Sequence, residues 1–434
     1  MLLIYISFSG VASVLLYPSP LPTLFKDIFF IIPTYLSFFL IKQVSVSQFR
    51  IPKSIIRVLM ALIAIVFVQM FNPNVSNWMV AAIGAKVWLF YIPLMFVGYA
   101  LLRSGRDWLR FLRIVVTVGW IPCTIGILEW SASLIFGYSA AMDRIYGQYA
   151  ATATQNYANF DIGSAFLFRI PSTFAFVTQY FGYTLVMIVA AYALIRTEVS
   201  TWRRRFGSVS FGLFALAAFM SGARAAFLFV PILIVTMYLI DPIGGHRISR
   251  IIVLFVLSLS MFVYFTGIAI TPMYTLVFGL TEQYGRDIAL GGIGQALSEA
   301  PLGLGTGMNT GAARYAFTDP NSFLAIENYY AKAIYELGVV GFILVLALFL
   351  LIIAHGFKVK RSLVSKSYGG STAALVAFFV IISLNSFKGW QIDLDPINVY
   401  FWLFVGFMFK LKYLDLQEYA WLPNPGLVNR KVLS

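Results

Sequence analysis

Apolar runs of membrane-spanning length recur along the whole chain, separated by short polar or basic stretches. They predict helices at about 1–17, 24–41, 55–71, 79–102, 109–136, 174–195, 206–220, 225–240, 251–270, 333–354, 372–387 and 397–411. The first run lacks a basic leader and a small-residue cleavage site, so it reads as a retained helix. The connecting segments test the count. Lys42, Arg50, Lys53 and Arg57 follow the second run, and Arg103, Arg106, Arg110 and Arg113 follow or open the segment after the fourth. Arg196 and Arg203 to Arg205 follow the sixth, and Arg247 and Arg250 the eighth. Lys358, Lys360, Arg361 and Lys366 follow the tenth, and Lys410 and Lys412 close the last. The alternate connections carry little charge, as in Asn72-Pro73-Asn74-Val75-Ser76-Asn77. Because basic residues are retained on the cytoplasmic side, this alternation predicts about twelve helices with both termini cytoplasmic.

Two connections on the opposite side are long, at about 137–173 and 271–332. The second contains Pro301-Leu302-Gly303-Leu304-Gly305-Thr306-Gly307, a Gly/Pro-rich turn region. Asp319-Pro320 then predicts a cap and a first helical residue, with the helix ending at Gly338. No repeat of fixed period, linker or separate soluble domain is visible. Residues 1–434 read as one transmembrane domain with a cytoplasmic tail at 413–434.

Composition agrees. The chain is 60% hydrophobic, with a mean hydropathy of +0.85, which excludes a soluble globular domain. The net charge of +14 is carried by the loops, and no basic patch is interleaved with stacking aromatics, so nucleic acid is not an expected partner. A single cysteine, Cys123, excludes an internal disulfide and a cysteine metal site. His246 and His355 both fall in predicted cytoplasmic loops, so the outer side has no histidine as base or ligand. A P-loop and a nucleophile elbow are absent, and Gly303, Gly305 and Gly307 follow no predicted strand. No metal and no cofactor is expected.

The polar residues that call for an explanation lie mostly on the outer side. Ser221-Gly222-Ala223-Arg224 makes a tight turn between two apolar helices, placing a guanidinium at the membrane edge, where charge is costly and usually functional. Arg169 opens the sixth span, and Arg286 and Arg314 lie in the large loop. Arginine forks bind phosphate oxygens in bidentate fashion, which fits a phosphorylated lipid. The competing explanation is snorkelling to head groups, or pairing with Asp143, Asp161 or Asp287. Glu327, between an apolar patch and Tyr329-Tyr330, has a setting suited either to a general base or to a solvated helix carboxylate. Glu336 follows Lys332 by one helical turn and predicts an ordinary ion pair. Glu129 lies within the fifth span, facing Arg169 or Arg224 or else hydrogen-bonded in the bundle.

Four segments, taken in order, resemble the bacterial O-antigen polymerase and ligase superfamily, the Wzy-like membrane glycosyltransferases. They are Arg169 through Phe174 with Gln179 to Gly182, then Ser221 through Ala226, then Arg286 with Ala300 through Asn309, then Glu327-Asn328-Tyr329-Tyr330 with Glu336 through Gly341. The motif match covers roughly 165–345. Ligases of that family usually carry histidine before the asparagine of the last motif. Here the position is Glu327, which favours a polymerase.

The resemblance implies an all-α polytopic integral membrane protein similar to the GT-C type membrane glycosyltransferases, in a bacterial inner (plasma) membrane with its site on the extracytoplasmic face. It implies inverting glycosyl transfer from a polyprenyl-diphosphate-linked glycan to a hydroxyl of a lipid-linked repeat unit. Arg224 and Arg169 would meet the diphosphate with Arg286 assisting, and Glu327 would take the acceptor proton. Arg314, Asn328 and Tyr329 would complete substrate binding. The implied partners are lipid-linked oligosaccharides, the bilayer, a chain-length regulator and export machinery. A ligase acting on lipid A core or a protein keeps the chemistry and changes the acceptor. A flippase or transporter would need a polar pathway at the midplane, for which Glu129, Lys86 and Asp395 are the few candidates.

Overall fold

The computed structural model describes residues 1–15, 21–41, 48–75, 77–147, 168–241, 291–309, 326 and 328–420. Among these residues the regular structure is helical throughout. The helices are α1 (Leu2–Ile6), α2 (Ser9–Leu15), α3 (Leu21–Lys26), α4 (Ile32–Tyr35), α5 (Lys53–Met70), α6 (Trp78–Leu89), α7 (Leu94–Leu101) and α8 (Gly105–Phe136). They continue with α9 (Tyr138–Tyr146), α10 (Val177–Thr197), α11 (Thr201–Met220), α12 (Arg224–Ile240) and α13 (Gly291–Glu299), and end with α14 (Tyr329–Ser362), α15 (Lys366–Asn385) and α16 (Ile397–Ala420). Wider π-turns over Asp27–Ile31 and Leu36–Ile41 join α3 and α4 into one rod.

Eight helical stretches among the described residues are long and apolar enough to cross a membrane. This makes the chain a multi-pass membrane protein. Helix α12 is apolar but shorter, and the basic run Arg203 to Arg205 lies within α11. The region expected to span at 1–17 divides instead into α1 and α2, too short to cross singly. The expected helix at 251–270 lies outside the described residues. Helix α16 runs on to Ala420, so the first residues of the expected tail at 413–434 are helical, and 421–434 lie outside the described residues.

Helices α10 and α16 form the centre, each with 83% of its spanning window buried, whereas the rod at 24–41 is peripheral, with 17% buried. The centre is packed with rings: Phe378, Phe379, Phe401, Phe404 and Phe407 make a chain of edge-on contacts that reaches Phe111 and Trp108. Helices α7 and α16 approach backbone to backbone through Gly98 and Gly406, as small residues permit in membranes.

The two ends of the bundle differ chemically. At one end basic loops are tied down by carboxylates. Arg113 forks onto Glu198 at 2.8 and 3.0 Å, Arg196 Nε pairs with Asp241 at 2.7 Å, and Asp415 accepts from the backbone of Val364 and Ser365. We call this the basic end. The opposite end is built from irregular backbone locked by side chains, and it holds the candidate site.

Candidate functional site

The segment from Phe168 to Phe176 is not helical, although it enters a buried helix. Backbone in that position needs partners for every N–H and C=O. Tyr138 Oη donates to Arg169 O at 3.2 Å, and Ile170 N–H donates to Ser221 O at 3.0 Å. Ser172 N–H donates to Glu129 Oε2 at 2.9 Å, and Ser172 Oγ donates to Pro122 O at 2.7 Å. Thr173 Oγ1 donates to Ser7 O at 2.6 Å, and Thr173 O accepts from Gly10 N–H at 3.1 Å. Ser172 is held at a φ of 52°, a left-handed conformation costly for a side-chain-bearing residue.

Glu129 anchors this turn. Its carboxylate is 1% exposed and is bonded by Ser172 N–H and the Tyr146 hydroxyl, which also reaches Ser172 O at 2.8 Å. Burial, followed by the Glu129 charge, pushes the Tyr146 hydroxyl up, so it stays a neutral donor. Hydrogen bonding within the bundle, one of the alternatives open for Glu129, is present; the Arg224 side chain lies outside what the structure describes.

The Ser221-Gly222 turn packs directly on this segment. Ser221 Oγ accepts from Ala223 N–H at 3.2 Å, and Gly222 adopts a φ of 70° with Phe168 O packed where a Cβ would project. Arg224 is the first residue of α12. The backbones of the first two motifs are therefore in contact, and Arg169, half-buried, is held beside the turn that leads into Arg224.

The third and fourth motifs are joined in the same way. Leu304 N–H donates to Tyr335 O at 2.8 Å, Gly305 N–H to Glu336 O at 3.2 Å, and Val339 N–H to Pro301 O at 2.9 Å. This insertion is possible because Gly338, at a φ of 76°, interrupts α14. The helix was expected to end there; it breaks and resumes to Ser362. Gln69 and Asn72 at the end of α5 hold the other side of the glycine loop through Leu302 O and Gly303 O. Glu336 is fully buried, accepting from Trp88 Nε1 at 2.7 Å and Asn309 N–H at 2.9 Å. The expected Lys332–Glu336 ion pair gives way to another: Lys332 pairs with Asp393 at 2.5 Å and covers the Trp88 ring.

Helix α14 starts at Tyr329, with Asn328 Oδ1 accepting from Tyr330 N–H at 2.9 Å and Ala331 N–H at 3.2 Å. Asn328 is thus the observed cap; the start expected at Asp319-Pro320 lies outside the described residues. Ile326 is held by Trp390 Nε1 and by Asn309, and Tyr329 N–H donates to Ser386 O at 2.9 Å. Tyr329 is buried, its ring 5.3 Å from that of Trp88.

All four segments reach one end. Helix α15 ends at Ser386, where α14 begins. Helix α12 packs on α15 and ends beside its start, because Asp241 pairs with Arg196, which abuts Gly370. Running antiparallel over about 25 Å, α12 must begin near the far end of α15. Arg224, Ile326 and Asn328 to Tyr330 therefore flank the same helix end, away from the basic loops. Glu327, Arg286 and Arg314 lie outside the described residues, as does the Arg224 side chain.

Sequence reasoning missed a second set of charges at this end. Lys26 bonds Asp395 and Tyr91 Oη at 2.6 Å, Asp27 accepts from Tyr91 Oη at 3.0 Å and pairs with Lys86, and Asn398 Nδ2 donates to Asp395 at 2.8 Å. Lys86 and Asp395 were visible as isolated polar residues. Their partners Lys26 and Asp27 sat at the edge of an apolar run and resembled loop charges. No family's sequence model matches this chain, and no curated protein matches it either.

Proposed function

We propose that this protein is a glycosyltransferase that polymerises a surface or exported polysaccharide of O-antigen or exopolysaccharide type, using a polyprenyl-diphosphate-linked glycan as donor. The reading rests on one observation above others: the segment bearing Arg169 touches the turn before Arg224, the glycine loop is bonded to the helix that Asn328 caps, and both pairs lie at the end of the bundle away from the basic loops. An acceptor hydroxyl on a second lipid-linked unit would attack the anomeric carbon. The bond to the diphosphate breaks, and the lipid diphosphate leaves with the electron pair. Arg224 and Arg169, with Arg286 and Arg314, would stabilise that leaving charge. Glu327 would take the hydroxyl proton, with its neighbours Ile326 and Asn328 held by Asn309, Trp390 and the start of α14. Gathering both lipids in one pocket would supply orientation.

A twelve-helix, GT-C-like plan in a bacterial inner membrane, with cytoplasmic termini and an extracytoplasmic site, belongs to this proposal. So do the partners, a chain-length regulator and export machinery. A ligase uses the same site with lipid A core or a protein as acceptor. The buried charges Lys26, Asp27, Lys86 and Asp395 favour a second reading, a flippase or transporter of lipid-linked oligosaccharide.

The test is polymer length in cells carrying Arg224→Ala, Glu327→Gln or Glu327→His, at matched membrane levels. Single lipid-linked repeats in the first two variants support the polymerase. Long chains detached from their final acceptor indicate a ligase. Unchanged length and attachment sink the glycosyltransferase site.

A further inference from the structure

The apolar run at 1–17 is long enough for one helix, yet the chain leaves α1 after Ile6 and starts α2 at Ser9. An interrupted helix leaves backbone groups that need other partners. Thr173 supplies two of them: Ser7 O accepts from Thr173 Oγ1 at 2.6 Å, and Gly10 N–H donates to Thr173 O at 3.1 Å. One residue of the Arg169 segment is thus gripped at both its side chain and its carbonyl. Burial along the N-terminal segment is concentrated at this grip. Ile6, Ser7, Ser9 and Gly10 are buried, whereas Met1 and Ile4 are exposed. A Cβ on Gly10 would collide with the backbone of Phe174 and Ala175, so the two stretches touch with no side chain between them.

The grip is itself fixed. Ser7 Oγ donates to Leu3 O at 2.9 Å and accepts from Tyr183 Oη at 3.0 Å, and Tyr183 is fully buried in α10. On the other side, Ser172 is held by Glu129 and the carbonyl of Pro122, and Ile170 N–H by Ser221 O. The Arg169 segment is therefore fastened at Ile170, Ser172 and Thr173 by three different parts of the chain. Ser172, at a φ of 52°, lies directly beside the grip. A residue in that region of backbone space persists only where its surroundings over-determine it, and such residues cluster at functional sites. Helix α10 is seated by its contacts with α8, α11 and α15. The grip acts where the chain is irregular, at Thr173 and the residues before it.

We propose that residues 1–15 form a strap that sets the position of Arg169, with Thr173 and Ser7 as positioning residues for glycosyl transfer. This role rests on the glycosyl-transfer reading, in which Arg169 meets the leaving diphosphate. The strap lies outside the stretch that carries the motif resemblance. Release of Thr173 frees the Arg169 turn on one side while Glu129 still holds the other, so the guanidinium is displaced and not lost. The charge that Arg169 stabilises develops as the bond to the diphosphate breaks. Misplacement is therefore felt in kcat more than in donor KM.

The experiment is turnover of lipid-linked repeat units by the purified full chain in lipid nanodiscs, with donor concentration varied and melting temperature measured in parallel. Thr173→Val keeps the shape and removes the donor to Ser7 O. Its kcat should fall on the order of 10-fold, with donor KM nearly unchanged. Thr173→Ser keeps the hydroxyl and should restore most of the rate. A role in packing alone predicts the reverse, valine active and serine impaired. A bond that only stabilises the fold would lower the melting temperature and leave kcat of the folded protein unchanged. Tyr183→Phe frees Ser7 Oγ and should lower kcat by a smaller factor, and it carries the test if Thr173→Val does not fold. Wild-type kcat in the folded variant overturns the strap and leaves the glycosyl-transfer reading intact. Absence of turnover in the wild type removes that reading, and the role of the strap with it.

Discussion

Replacing Gly222 tests whether contact between the first two motifs matters for chemistry. A Cβ at 222 would run into Phe168 O, stand 2.8 Å from the Phe168 carbonyl carbon and 3.2 Å from Arg169 Cα. Restoring an ordinary separation of about 3.5–4.0 Å between carbons requires roughly 1 Å of backbone movement. The movement falls on Phe168 and Arg169, because α12 and the turn are fixed by their own hydrogen bonds. The φ of 70° adds about 1–2 kcal/mol for a residue with a side chain. A misplacement of about 1 Å at a reacting site costs on the order of 100-fold in rate. That is about 2.7 kcal/mol of barrier. On the proposed glycosyl-transfer function, Gly222→Ala should therefore form polymer about 100-fold more slowly while still reaching the membrane folded. Gly222→Asn separates the two causes, since asparagine tolerates left-handed backbone but keeps the Cβ; it should be as slow as alanine. Gly212→Ala is the control: no atom lies within 4 Å of its Cβ position, and alanine in a helix gains up to about 1 kcal/mol. The assay is turnover of lipid-linked repeat units by purified protein, with melting temperature measured in parallel. Wild-type turnover by a folded Gly222→Ala protein would show that the spacing of Arg169 from the α12 turn is irrelevant.

Two further outcomes follow from the buried polar groups. Glu129→Leu strands Ser172 N–H, at about 1–3 kcal/mol, while the Tyr146 hydroxyl keeps Ser172 O as an acceptor; Glu129→Gln keeps an acceptor for Ser172, so equal melting temperatures for the two variants would contradict the anchoring role. Lys332→Met leaves Asp393 buried without its cation and should cost about 3–5 kcal/mol; adding Asp393→Leu should recover much of that loss, and a double variant no better than the single would show that the pair is not what holds α14 to the turn.

The membrane spans were legible because hydrocarbon enforces long apolar helices, and those at 24–41, 55–71, 79–102, 109–136 and 174–195 match observed helices within a few residues. The same signal misled at 1–17. Ser7 and Ser9 interrupt that run, and Ser7 O and Gly10 N–H are used by Thr173 rather than by one continuous helix. Periodicity suggested a Lys332–Glu336 pair, since residues four apart share a helix face. Tertiary partners outcompeted it: Asp393 reaches Lys332 from another connection, while Trp88 and Asn309 occupy Glu336. The Arg169 and Ser221–Arg224 segments were legible as unusual polar positions, but not their contact, which depends on a bare backbone approach at Gly222. Lys26 and Asp27 gave no signal beyond their type, because a charge at the edge of an apolar run is ordinarily solvated.

The irregular segments at this end carry a common physical argument. Residues 168–176, 300–309 and 386–396 all abandon α-helical hydrogen bonding beside the ends of spanning helices. Such backbone survives only where protein or a polar cavity satisfies it. Here the satisfaction comes from side chains contributed by distant elements: Glu129 and Tyr138 for the first segment, Gln69, Asn72 and Glu336 for the second, and Asn398 for the third. A bundle selected only to span a membrane would meet the requirement more cheaply with continuous helices. The basic end, among the described residues, does so with short turns and ion pairs that need no irregular backbone. The opposite end instead maintains a left-handed serine, a broken helix and a buried charge network, each costing stability that other contacts must offset. Strain of this kind, concentrated on the segments that carry Arg169, Arg224, Asn309 and Asn328, is what a preorganised site requires.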